Sequence, residues 1–121
     1  MRLKSSIWVA AYLRQCDVAC VPAMIVRRGA ESAGAIYIKI NLLDGTARLL
    51  TPAPQSMLMS GAEERCWIAS NGGKPFAEAE VDQKLNREFG FDPDIWVIEL
   101  EDRQGRDFLG DSLIPASADH S

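Results

Sequence analysis

Residues 35–51, AIYIKINLLDGTARLLT, constrain the fold more than any other stretch of the chain. Ile36, Ile38, Ile40 and Leu42 alternate with Tyr37, Lys39, Asn41 and Leu43, which is the period of two of a strand with one buried face. Asp44-Gly45 follows, and both residue types tolerate the positive φ of a two-residue type I′ turn. With those two as the loop, Leu42 faces Ala47, Ile40 faces Leu49 and Ile38 faces Thr51. That register gathers an apolar set on one face and leaves Asn41 opposite Arg48 and Lys39 opposite Leu50 on the other. A slip of one residue would turn the apolar set outward, so the pattern predicts a well-specified register. Pro52 and Pro54 cannot donate to the ladder and end it.

The flanking segments supply two helices and more strands. Val9, Leu13, Cys16 and Cys20 recur at spacings of four, three and four, with Trp8 and Tyr12 beside them. This predicts an amphipathic helix from near Ile7 to about residue 19, with Ser5 and Ser6 as N-cap residue types. Residues 7–12 also fit a strand. Pro22 resets the chain, residues 23–28 read as a short strand, and residues 29–34 as a loop into the central strand. The three strands then form an antiparallel meander. Residues 52–64 are a connector, with Met57, Leu58 and Met59 tacking it to the core. Residues 65–69 form a fourth strand closed by Asn71-Gly72-Gly73. Ala77, Val81, Leu85 and Phe89 repeat at fours in a helix over 76–89, supported by a Glu80–Lys84 pair and stopped by Gly90 as the C′ glycine. Residues 95–101 are a strand with Trp96, Ile98 and Leu100 on one face and Ile95, Val97, Glu99 and Glu101 on the other. Gln104-Gly105 makes a turn into a brief pairing by residues 107–109. The order α-β-β-β-β-α-β describes an α+β fold: a mainly antiparallel sheet of about five strands with two helices packed on one side of it. A chain of 121 residues makes one domain, taken as residues 1–109, with 110–121 a flexible tail.

Several landmarks stand in order along the chain: Arg2-Leu3-Lys4-Ser5 before Trp8-Val9, Arg27-Arg28-Gly29, Ala33-Gly34-Ala35, Asp44-Gly45 and Pro52-Ala53-Pro54. Glu80-Val81-Asp82, Phe91-Asp92-Pro93-Asp94 and residues 96–102, WVIELED, follow. This set resembles a family of short, uncharacterised alphaproteobacterial proteins, known only as a domain of unknown function. The resemblance covers residues 2 to about 109. It implies a single domain and brings no activity, ligand or catalytic residue with it.

Composition and charge exclude some functions. The net charge of −4 argues against a general nucleic-acid binder, which shows a basic face. The charge is split, with +4 on residues 1–50 and −8 on residues 51–121, as expected if the two halves cover one another or lie on different surfaces. No apolar run reaches the 18 or so residues that a membrane span needs, and Arg14 and Asp17 interrupt the N-terminal apolar stretch where a secretion signal would run on. The expected location is the cytoplasm.

Catalytic constellations are incomplete. Cys16, Cys20 and Cys66 with one histidine, His120 in the expected tail, do not make a four-ligand metal site or a nucleophile pair. The cysteines read as buried small hydrophobes in a reducing compartment. Asn71-Gly72-Gly73-Lys74 before a helix offers backbone N–H groups to an anion, although turn chemistry accounts for the glycines equally well. Glu99 and Glu101, two apart on one strand face with Asp102 following, have the spacing to hold Mg²⁺ or divide acid and base roles. The acid and acid-x-Lys signature of metal-dependent nucleases is broken, because Tyr37 stands where Lys39 would need an acid. A solvated strand edge is the plainer use of the two glutamates. Arg27 and Arg28 close a strand with alternate sides facing, available to the acidic half of the chain or to a partner. Trp8, Trp67 and Trp96 are core anchors that also suit an interface.

These observations point to a small domain without catalytic residues, cofactor or metal. Its expected role is self-association or binding of a protein partner, with Arg27, Arg28, Glu99 and Glu101 as binding residues. An Mg-dependent, nuclease-like enzyme using the last strand's carboxylates and a small-ligand binder are the alternatives. A polar pocket joining Glu99, Glu101 and Lys39 would favour the enzyme, and a flat apolar patch would favour association.

Overall fold

Two α-helices and six strands succeed one another in the computed structural model, which describes residues 2–54 and 65–115. They are α1 (Ser5–Val18), β1 (Ala23–Arg27), β2 (Ile36–Asn41), β3 (Thr46–Pro52), β4 (Trp67–Ala69), β5 (Phe76–Ala77), α2 (Glu78–Phe91) and β6 (Trp96–Glu101). The expected order of elements holds, with the two-residue β5 added ahead of α2. All six strands join one sheet in the order β1-β6-β2-β3-β4, and β5 also pairs with β3.

The meander is interrupted. β6 lies between β1 and β2, antiparallel to β1 and parallel to β2, with Ile38 beside Ile98 and Lys39 beside Glu99. The reason lies in β6 and the residue before it: Ile95, Trp96, Val97, Ile98 and Leu100 are all buried, so the strand needs cover on both faces and takes an interior place. The loop between β1 and β2 must therefore pass over the start of β6. It is bound there, with the Ala30 N–H donating to the Asp94 carbonyl at 2.9 Å and the Trp96 N–H donating to the Ala35 carbonyl at 2.7 Å.

The hairpin register also differs by one residue. Ile38 faces Leu50, Lys39 faces Leu49, Ile40 faces Arg48 and Asn41 faces Ala47. The Leu42 N–H donates to the Thr46 carbonyl, so Leu43, Asp44 and Gly45 form a three-residue loop, with Leu43 (φ 64°) and Gly45 (φ 89°) in the left-handed region. Asn41 and Asp44 side chains accept from the Leu43 and Thr46 N–H groups and stabilise it. The rule against slippage assumed one buried face. Here both faces are buried, so either register hides apolar residues and the turn decides between them. Gly45→Val should destabilise by about 1–2 kcal/mol, because open space surrounds the position and only the left-handed backbone opposes a side chain. An unchanged urea midpoint would show that the loop adapts.

Two clusters fill the two faces, so the helices lie on opposite sides of the sheet rather than on one. Val9, Tyr12 and Cys16 of α1 pack with Ile36, Ile38, Ile40, Leu50, Trp67, Trp96, Ile98 and Leu100. Val81 and Leu85 of α2 pack with Ala47, Leu49, Ile95 and Val97 on the other face. Trp67 and Trp96 are fully buried, and Trp8 stacks on Tyr12 and leans on Trp67. All three act as the expected core anchors. Residues 7–12 are helical. Ser5 does not cap α1 but lies inside it, buried, with its hydroxyl donating to the Gly34 carbonyl at 2.7 Å.

α2 starts two residues later than predicted, because Phe76 and Ala77 pair with Ala47 and Thr46, and it runs through Gly90 to Phe91. Gly90 therefore is not a C′ glycine. Lys84 reaches over the Phe76 ring at 5.0 Å. Residues 107–109 form no strand. Beyond them Gly110–Ser112 is a 3-10 turn, and the Ile114 N–H donates to the Trp67 carbonyl at 2.8 Å. The rest of the expected tail, and Met57, Leu58 and Met59, lie outside the described residues.

Candidate functional site

Lys39 is the centre of a dense polar cluster among the described residues. It sits mid-strand on the α2 face with its side chain only 4% exposed, a position no ammonium occupies unpaired. Glu78 and Asp82, four apart and so on one side of α2, accept from its Nζ at 2.9 and 2.8 Å. Glu99 of the neighbouring parallel strand lies 3.5 Å away. The Asn41 amide nitrogen donates to both Glu78 and Glu99. Burial by itself would lower the Lys39 pKa, but the hydrogen bonds to Asp82 and Glu78 and the charges of Glu99 and Asp82 outweigh it and hold the amine above its ordinary value. A base or nucleophilic lysine needs the opposite shift. Tyr37 adds a second polar tie to α2, donating to Glu88 at 3.1 Å, and its pKa is pushed up to about 12 by burial first and then by the Glu88 carboxylate. The arrangement fastens α2 to the sheet through charge. The acidic C-terminal half of the chain covers the basic N-terminal half at this point, and again where Arg48 meets Asp107 at 3.4 Å.

The four residues singled out from sequence are placed as follows. Glu99 is not on a sheet edge: β6 is interior, and the Glu99 side chain is 17% exposed against Lys39 and Asn41. The Lys39 ammonium takes the place among three carboxylates that a divalent ion would need. Glu101, at the end of the same face, is partly exposed beside Asn41. Arg27 and Arg28 diverge: the Arg27 guanidinium stacks 3.5 Å over Phe89 and that of Arg28 lies 5.0 Å from the Trp96 ring. The structure thus brings Lys39 to Glu99 and leaves the two arginines on aromatic rings. Glu78 and Asp82 escaped the sequence reading, although their spacing of four on a helix and the lysine within an alternating strand were the available signal.

Other sequence candidates resolve in the same way. Cys16 is buried and its thiol is pushed up to about 11 by that burial, as expected of an inert residue. Cys20 is a correction: the helix ends at Val18 and Cys20 lies exposed on a left-handed turn (φ 63°). Asn71, Gly72 and Gly73 are left-handed in succession, and β5 separates them from α2, so they do not form a helix N-terminus. Asp102 has a structural use at the end of β6. Its carboxylate accepts from the Gln104 and Arg106 backbone N–H groups and from the Arg106 guanidinium, which holds it below the usual carboxylate range.

Among the features that open outward, two bear on binding. One is β1, an edge strand whose Met24, Ile25 and Val26 are 45%, 37% and 56% exposed. The other is a cavity at the opposite side of the sheet, near Arg65 and the end of β3. Among the described residues no helix is long and apolar enough to cross a membrane.

The likeness anticipated from the landmarks is found. A crystal structure of a DUF1491 family protein from Caulobacter crescentus CB15 is 35% identical, with a TM-score of 0.76 over 94% of this chain and 99% of that one. An NMR structure of a DUF1491 family protein from the same strain is 37% identical, with a TM-score of 0.75 over 94% and 98%. The solution structure of a protein from A. tumefaciens is 36% identical, with a TM-score of 0.73 over 95% and 97%. A comparison with curated proteins returns no match. The family model for DUF1491, described as a protein of unknown function, matches residues 3–110. Shared along almost its entire length with these alphaproteobacterial relatives, the fold and sequence place the chain in the DUF1491 family.

Proposed function

We propose that this domain acts by association rather than catalysis, and that its first partner is a second copy of itself added along β1. The observation that carries this reading is the β1 edge. An exposed apolar edge strand is a template for another strand, and proteins that have no use for one blunt it with charge. Residues 23–26, AMIV, carry none. The Glu101 N–H donates to the Pro22 carbonyl, so by antiparallel alternation Met24 turns its backbone groups to β6 while Ala23 and Ile25 turn theirs outward. A two-fold axis through Met24 would pair Ala23 of each copy with Ile25 of the other and make four main-chain hydrogen bonds. The register shift between Ile25 and Arg27 bends the strand away beyond that point and limits the pairing to a short, reversible one.

The further parts of this reading follow the same chemistry. Three free cysteines, one of them exposed, suit a reducing compartment, and hence the cytoplasm. Nucleic acid is not the expected partner of a chain with net charge −4. Light scattering after gel filtration tests the pairing. The wild type should dimerise as concentration rises to hundreds of micromolar or so, within the range of weak interfaces. Ile25→Pro removes only outward-facing donors, so it should keep the fold and abolish the dimer, and Met24→Lys should do the same by placing like charges on the axis. A wild type that stays monomeric, or a dimer that both variants retain, would sink the proposal.

A further inference from the structure

At the edge of the sheet away from β1, a cavity of about 170 Å³ is lined by Arg2, Ala35, Pro52, Arg65, Cys66 and Trp67, among others. Arg65 is only 9% exposed. One of its terminal nitrogens, Nη2, donates to the Leu3 carbonyl at 2.8 Å and to the Ser5 hydroxyl oxygen at 3.1 Å. Ser5 is oriented for this, since its own hydrogen goes to the Gly34 carbonyl. Both acceptors are neutral. The Arg65 Nε is buried with no acceptor, and no carboxylate pairs with this guanidinium, among the described residues. Among the described residues the charge that acts on it is that of Arg2, which is itself exposed and has the same sign.

A guanidinium keeps its charge in any protein environment. Burying it without a counter-charge costs several kcal/mol, and a fold that needed only to fill this space would do better with an apolar side chain. The buried cation of Lys39 is treated differently: three carboxylates surround it. At Arg65 the described residues supply two neutral oxygens, and the residue lines a cavity together with a second, exposed arginine. The α1 terminus is not what attracts charge here, because the Ser5 and Ser6 N–H groups are already bonded to the Ser32 and Glu31 carbonyls.

We propose that this cavity binds a compact oxyanion, a phosphate or a carboxylate group of a small molecule, paired with the Arg65 guanidinium and with Arg2 at the mouth. Both groups present planar or tetrahedral oxygens that a guanidinium fork meets with two hydrogen bonds. Burial and the charge of Arg2 depress the Arg65 pKa, and the opposite charge of a bound anion would counter both influences. The site is independent of the β1 edge, so either proposal can fail without the other.

The test titrates the full chain with sodium phosphate and with sodium acetate, each against sodium chloride at matched ionic strength. The readouts are the melting temperature and the arginine Nε–H signals in ¹⁵N-resolved NMR spectra. A saturable rise in melting temperature with a shift of one buried arginine signal is expected. A response to phosphate alone identifies a phosphate ligand, and one to acetate alone a carboxylate. Arg65→Met, which keeps the stem and removes the charge, should abolish the response. Arg2→Gln alters only an exposed residue and should weaken binding by about tenfold, which keeps the test decisive if the Arg65 variant does not fold. A wild type that responds to neither anion beyond chloride, or variants that bind as wild type does, would overturn the assignment.

Discussion

Replacement of Lys39 by methionine is expected to lower the unfolding free energy by about 2–4 kcal/mol, below the upper end of the range for breaking a buried pair. Methionine fills the space of the lysine stem but leaves Glu78, Asp82 and Glu99 sharing one site without a cation. Glu78 and Asp82 have side chains 37% and 54% exposed, so water takes over much of their charge. Glu99, at 17%, bears most of the loss. Glu99→Gln in the Lys39→Met background should therefore recover part of it, a coupling that a double-mutant cycle in urea measures. The pH dependence adds a second check. Lys39 titrates higher in the folded state than its ordinary value, so its stabilisation is complete below the unfolded pKa of about 10.4 and is lost as pH rises through the folded one. The gap between wild type and Lys39→Met should be flat through neutral pH and shrink in the alkaline range. A variant within about 0.5 kcal/mol of wild type, the usual effect of a surface change, would mean that the cluster is solvated and does not hold α2.

Gly29→Ala should be comparably severe, at or beyond the ~3 kcal/mol upper end of ordinary overpacking. A Cβ at Gly29 would stand 2.6 Å from the Ile95 carbonyl carbon and oxygen, and closer still to the Asp94 carbonyl oxygen. These are backbone atoms at the start of an interior strand and have nowhere to go. The glycine is needed because the β1–β2 loop crosses β6 at that point. Gly90→Ala is the internal control: it lies in α2 with open space around it, and alanine there should stabilise by about 0.5–1 kcal/mol. If both alanines proved neutral in thermal melts, the crossing loop would have to be loosely seated.

The fate of Glu99 shows the limit of reading a strand by itself. Its alternation with Trp96, Ile98 and Leu100 was legible, and the structure keeps those faces. Its reading as a solvated edge failed because edge or interior is decided by pairing, and the partners of β6 are β1 and β2, both more than 50 residues earlier. The hairpin repeats the lesson. The strands at 36–41 and 46–52 were evident, yet the apolar pattern could not choose the register once α2 covered the second face. Turn hydrogen bonds from Asn41 and Asp44 and the left-handed Leu43 made that choice.

What the residues determined unaided was local: two amphipathic helices, strands at the apolar alternations, a bend at Asp44-Gly45, and tryptophans for the core. Periodicity and turn chemistry act within a few positions, so one sequence suffices to read them. The tertiary structure alone decided that β6 divides β1 from β2, that the helices take opposite faces, and that, among the described residues, Lys39 is surrounded by acids while Arg65 meets neutral oxygens. Those outcomes depend on which distant surfaces exclude water together, and a buried charge acquires its meaning only from the groups that folding brings within a few ångströms of it.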